Sequence, residues 1–133
     1  MEKIFNWISI IGGTVSGLAV SFFGGLDKIM IALLVLIVLD YATGILKAIY
    51  NKQLSSEIGF KGIIKKVVLL VVVGVSVLVQ NNFGIPAIRE IVIMFFVTNE
   101  AISLLENASQ MGVPISDKLK DTLLQLRDKN TEK

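Results

Sequence analysis

Residues 39–66 read LDYATGILKAIYNKQLSSEIGFKGIIKK, and the fold turns on how this stretch is understood. It opens with Asp40 inside an apolar run and closes with Lys65 and Lys66 at the mouth of the next apolar run. That is the layout of a boundary between two membrane-spanning helices, with a polar loop flanked by cations that reach the headgroups. Lys47, Lys52, Lys61, Lys65 and Lys66 make it the strongest positive cluster between apolar segments. The positive-inside rule places it in the cytoplasm.

Composition agrees. The 133 residues are 53% hydrophobic, and the mean hydropathy is +0.73. A soluble domain of this length cannot bury so much apolar surface, so membrane lipid is the expected solvent. The net charge of +2 is small, and lysines gathered at segment ends are topology signals, not a nucleic-acid footprint. The chain has no cysteine and no histidine, which removes disulfides, thiolate nucleophiles, imidazole bases and the commonest transition-metal ligands together. No nucleophile lies beside a base and no glycine-rich phosphate loop is present, so no enzyme, cofactor or metal is expected.

Upstream, residues 4–23 have about the length needed to cross hydrocarbon, although Asn6 and several serines weaken the segment. Lys3 ahead of it resembles the start of a secretory signal, but no small-residue cleavage site follows, and a retained helix is the expectation. Small residues recur at every fourth place, Ser9, Gly13, Gly17, Ser21 and Gly25, a stripe suited to close helix packing. The other reading of the stripe is a flexible segment lying at the interface. Trp7 suits an interfacial anchor. A short turn at 24–28 leads into a second helix through about residue 49, on which Asp40, Thr43, Gly44 and Lys47 share one face. A carboxylate at that depth must face protein or water.

Downstream, residues 51–62 are expected to be loop, with Ser55, Ser56, Gly59 and Gly62 as turn and cap residues. A third helix follows from residue 63 through the valine-rich run to 79, since an open strand edge cannot be satisfied in lipid. Residues 80–86 form a turn without a cation, as suits the outer side. Residues 87–108 form the last membrane helix, apolar at first and then carrying Asn99, Glu100, Ser103, Glu106, Asn107 and Gln110 on a polar face. Gly112 and Pro114 break the chain, and 117–129 form a short amphipathic helix, read as lying on the membrane or bundle surface, with recruitment of a partner as the alternative.

The expected fold is therefore all-α: helical hairpins with three or four transmembrane helices in residues 1–112, and a cytoplasmic amphipathic tail in 113–133. Asp40 and Glu100 fall at one depth on helices running the same way, with Lys65 and Lys66 entering from the cytoplasmic side. The candidate polar cluster is Asp40, Thr43, Lys47, Lys65, Lys66, Asn99, Glu100, Ser103 and Glu106. It serves either as interhelical glue that fixes register or as the wall of a watery path once several copies assemble. A selective ion or proton channel, and a non-conducting scaffold for a partner held by the tail, are further readings.

Four ordered motifs resemble the phage holins, in the group that includes clostridial toxin-secretion holins: LDYATG at 39–44, LSSEIGFKGIIKK at 54–66, NEAISLLEN at 99–107 and GVPI at 112–115. The resemblance covers about residues 29–127, with Ser116 standing where a second proline is expected. It implies a multi-pass protein of the bacterial cytoplasmic membrane, without cofactor, that forms homo-oligomers and permeabilises the membrane. The implied cargo is an endolysin or a large toxin, and Asp40, Glu100 and Glu106 are the motif acids.

Overall fold

The computed structural model describes residues 1–131, so the last two residues of the expected tail lie outside the described residues. They form five helices: α1 (Glu2–Phe22), α2 (Lys28–Tyr50), α3 (Ser56–Phe83), α4 (Ile88–Gln110) and α5 (Asp117–Thr131). The all-α expectation holds, with a shorter helix at the carboxyl end. Helices α1, α2 and α3 are long and apolar enough to cross a bilayer. The fourth does not reach that composition, because Arg89, Glu90, Glu100 and Glu106 sit on it. Its 23 residues nonetheless match those of α2. The two lie side by side and point the same way, Arg89 against Asp27 at their starts and Asn107 against Asp40 further along.

The loop expected at 51–62 is shorter in the structure, and α3 begins within it. The Ser55 hydroxyl accepts a hydrogen bond from the Ile58 N–H at 3.2 Å, a conventional amino-terminal cap. Glu57 and Lys61 then pair at 2.9 Å one turn apart, and the helix runs on for 28 residues. Gly59 and Gly62 are not turn residues. They make room for Tyr41 of α2, whose ring carbons would lie 3.1–3.3 Å from a Cβ at Gly62. The Tyr41 hydroxyl donates to the Gly59 carbonyl at 3.2 Å. The expected turn at 80–86 is likewise mostly helix, ending at Gly84 with φ of 64°, a left-handed cap that glycine adopts without strain. From that last turn the Gln80 Oε1 accepts from the Arg89 N–H at 3.0 Å, capping the start of α4.

The apolar core lies between α2, α3 and α4 in the half nearest the α1–α2 turn. Met30, Leu33, Val73 and Ile93 are fully buried there, joined by Ile37 and Leu69. Helix α1 stands apart, and none of its residues is buried. It touches the bundle near its end, where Phe23 packs on the core and the Phe22 ring lies over Gly74 of α3. Thr14 and Ser16 donate back to carbonyls of their own helix at 2.8 and 2.7 Å, which hides their hydroxyls from an apolar surround.

A Cβ at Gly74 would fall 1.9 Å from the Phe22 ring, so Gly74→Ala must expel the ring. The expected loss is about 1–3 kcal/mol in detergent unfolding. Phe22→Ala should remove most of the additional effect of Gly74→Ala, giving a strongly non-additive double-mutant cycle.

Candidate functional site

Asp40 sits thirteen residues into α2, where a turn of Thr43 and Gly44 follows on the same face. Glu100 occupies the matching level of α4, and Lys66 reaches across from α3. The Lys66 ammonium donates to both carboxylates at once. The side chains of Asp40, Glu100 and Lys66 are only 8%, 9% and 17% exposed, so this cluster is interior and not a solvated surface pair. The Asn107 amide completes it, donating to the Asp40 Oδ1 at 3.0 Å, the Asp40 carbonyl at 3.2 Å and the Thr43 Oγ1 at 3.1 Å. No buried side-chain polar atom among the described residues lacks a partner. One lysine between two carboxylates leaves one formal negative charge, spread over groups that are all hydrogen-bonded. Three helices are thereby tied at one level, with their register set.

The candidates divide in space. Asp40, Thr43, Glu100 and Lys66 are in mutual contact directly or through Asn107. Ser103, Lys47 and Lys65 line the cavity that opens beside them, together with Asp40, Lys66 and Asn107. Glu106 points elsewhere, into the groove between α4 and α5 formed with Ile102, Leu105 and Pro114. Asn99 is half-buried and does not line the Lys66 cavity. Ser9, Gly13, Gly17 and Ser21 are exposed along α1, and a Cβ at Gly13 or Gly17 would meet nothing within 4 Å. No cluster of three or more metal-type ligands exists among the described residues.

A second polar knot closes the opposite end of the bundle, and sequence reasoning missed it. Arg89, at the start of α4, is 4% exposed. Its guanidinium grips Asp27 with two hydrogen bonds, at 2.8 and 3.0 Å. It also donates to the Phe23 carbonyl at 2.7 Å and the Gly25 carbonyl at 3.1 Å. Asp27 in turn caps α2 by accepting from the Met30 N–H at 3.2 Å. The turn needs Gly24, whose φ is 77° and whose missing Cβ leaves space for the Arg89 side chain. No pattern near either residue announces this knot; it follows only once α2 and α4 are known to lie side by side. Asp27 precedes Asp40 on α2 by nearly the interval that separates Arg89 from Glu100 on α4. The Arg89 hydrogen bonds hold the Asp27 carboxyl below the usual carboxylate range.

The arrangement is that of a multi-pass helical membrane protein whose interior charges serve to join helices. Residues 17–128 match the bacteriophage holin family, which covers most of the chain, and the protein belongs to that family, whose members are non-enzymatic membrane proteins. An uncharacterised 14.9 kDa protein of Clostridium perfringens is 42% identical over 97% of this chain and 99% of its own length. The uncharacterised protein Lmo0128 of Listeria monocytogenes is 38% identical over 83% of this chain and 79% of its own. A protein of Bacillus phage phi105 named "Probable holin" is 29% identical over 80% and 79%. No solved structure matches.

Two outcomes follow from the two knots. Lys66→Met strands two buried carboxylates and should lower unfolding stability in detergent by on the order of 3 kcal/mol. Adding Asp40→Asn and Glu100→Gln to it should restore much of the loss. For Asp27 the bound state favours the ionised form, so its contribution is full above the ordinary aspartate range and vanishes as pH falls through the lower value of the folded protein. The melting midpoint should therefore drop on acidification below about pH 4, and Asp27→Asn should flatten that part of the profile.

Proposed function

We propose that copies of this chain assemble in a bacterial cytoplasmic membrane and open a path through which a cell-wall-degrading endolysin escapes. Membership of the holin family supports membrane permeabilisation in the service of lysis. The observation that carries the assembly step is α1: 21 residues, apolar and long enough to span, with no residue buried. A membrane helix carrying glycines and serines along one face gains little from lipid, whereas a neighbouring backbone rewards them. Gly13 and Gly17 have open space before them within one chain, so a second copy is the neighbour we assign to this face.

The lysine-rich end of the α2–α3 hairpin is placed in the cytoplasm, with both chain ends on that side if four helices span. Three or four helices of one chain cannot enclose a wide hole, and passage of a folded enzyme requires several copies. In a toxin locus the same device would release a large toxin. The Asp40–Lys66–Glu100 cluster holds each subunit in register in this scheme. A selective ion or proton channel is the second reading, favoured by the one formal negative charge that Lys66 leaves over in the interior.

Induced expression with a cytosolic endolysin and a membrane-potential dye is expected to give potential loss followed by lysis. Gly13→Leu with Gly17→Leu should leave membrane insertion intact while reducing cross-linked oligomers and delaying lysis. Accumulation in the membrane without potential loss would rule out the pore. Ion flux without escape of endolysin would favour the selective channel.

A further inference from the structure

Beside the Lys66 cluster, α2 and α3, with Ser103 and Asn107 of α4, line an open recess of about 370 Å³. Its inner part is satisfied, because Asp40, Lys66 and Asn107 bind one another. Its other cations are not. Lys47, half-buried in the last turn of α2, and the exposed Lys65 of α3 both line it, and no carboxylate among the described residues pairs with either. By contrast Lys61 has Glu57 and Lys66 has two acids. Gln53 adds a neutral hydrogen-bonding group, while Ile45 and Ile58 supply apolar wall.

Two ammonium groups lining one recess give it a positive potential that an anion would offset. The recess also lies where the apolar belt ends. Ile63, Ile64, Val67 and Val68, on both sides of Lys65, are exposed. Two turns earlier along α3 lies the α2–α3 loop, residues 51–55, polar except for Leu54. The volume is near the lower end of small-molecule pockets, roughly 300–1,000 Å³, which suits a headgroup and not a whole diacyl lipid. Acyl chains would then run along exposed apolar residues of the hairpin such as Leu46 and Ile49. A singly charged phosphodiester asks for no more cation than Lys47 and Lys65 supply, and it brings less negative charge towards the Asp40 carboxyl than a dianion would.

We propose that this recess binds the headgroup of an anionic phospholipid, with Lys47 and Lys65 on its phosphate. The proposal rests on the membrane placement given above and is independent of pore formation. Basic pockets between membrane helices on the cytoplasmic side are suited to such lipids, since the anionic leaflet faces them.

The test uses the full chain in phosphatidylcholine bilayer discs, with thermal unfolding followed as phosphatidylglycerol replaces phosphatidylcholine. The melting temperature should rise with phosphatidylglycerol. Lys47→Gln with Lys65→Gln should weaken the apparent affinity roughly tenfold or more, whereas Lys52→Gln, outside the recess, should not. Lys47→Arg with Lys65→Arg should retain the effect. Native mass spectrometry of the unaltered protein should show a preferentially retained phosphatidylglycerol, a readout that does not depend on any variant folding. Equal protection by both lipids, persistence of the rise in the glutamine variant, or the same rise from inorganic phosphate alone would overturn the proposal. Resistance to carbonate extraction from phosphatidylcholine vesicles is scored separately. Its loss would refute the membrane placement, whereas insertion without a phosphatidylglycerol effect refutes only the lipid site.

Discussion

The bundle depends on one ammonium group held between two carboxylates. Without Lys66, α2 and α4 would face each other through Asp40 and Glu100, two acidic side chains with little access to water. With it, the three helices share a single ionic centre, and Asn107 adds a hydrogen bond to the second Asp40 oxygen. Replacing such a centre with apolar side chains need not destabilise a protein, and its clearest physical effect is to single out one alignment among many. Lipid-facing helices slide easily past one another, because apolar surface is solvated equally well at every register. A buried charge is not.

The Arg89 knot plays the same part at the other end. Its guanidinium presents a fixed fork that engages a carboxylate and two backbone carbonyls at once. Between the two polar centres lies the apolar core of Met30, Leu33, Val73 and Ile93. The polar centres orient α4 against α2, and the core between them supplies the close packing. Helix α1 belongs to neither, and reaches the bundle through Phe22 and Phe23.

Much of this was legible in the chain. Asp40 and Glu100 stood at comparable depths on helices of the same direction, with Lys65 and Lys66 as the cations at hand; the structure uses Lys66. What was not legible depended on proximity between distant residues. Arg89 lies two residues into a helix and 62 residues from Asp27, and no local pattern marks that pairing. Gly59 and Gly62 carried the usual turn signal, but here glycine serves close approach, and the ring that takes the space belongs to another helix. Asn107 was visible as part of a polar face, yet its role appears only once Asp40 and Thr43 are opposite it. Glu106, alike in sequence context to Glu100, turns out to face the tail helix because it sits on a different side of α4.

The three members of the ionic centre are also made at different times. Asp40 leaves the ribosome first, its counter-charge Lys66 emerges later, and Glu100 comes last. An unpaired Asp40 costs a membrane helix about 3 kcal/mol, which the apolar length of α2 can offset, so α2 can enter first and gain its counter-charge once α3 is made. Helix α4, the last of the long helices to be made, brings Glu100 to a lysine already claimed by Asp40, so its docking completes an ionic centre that the earlier helices leave half built.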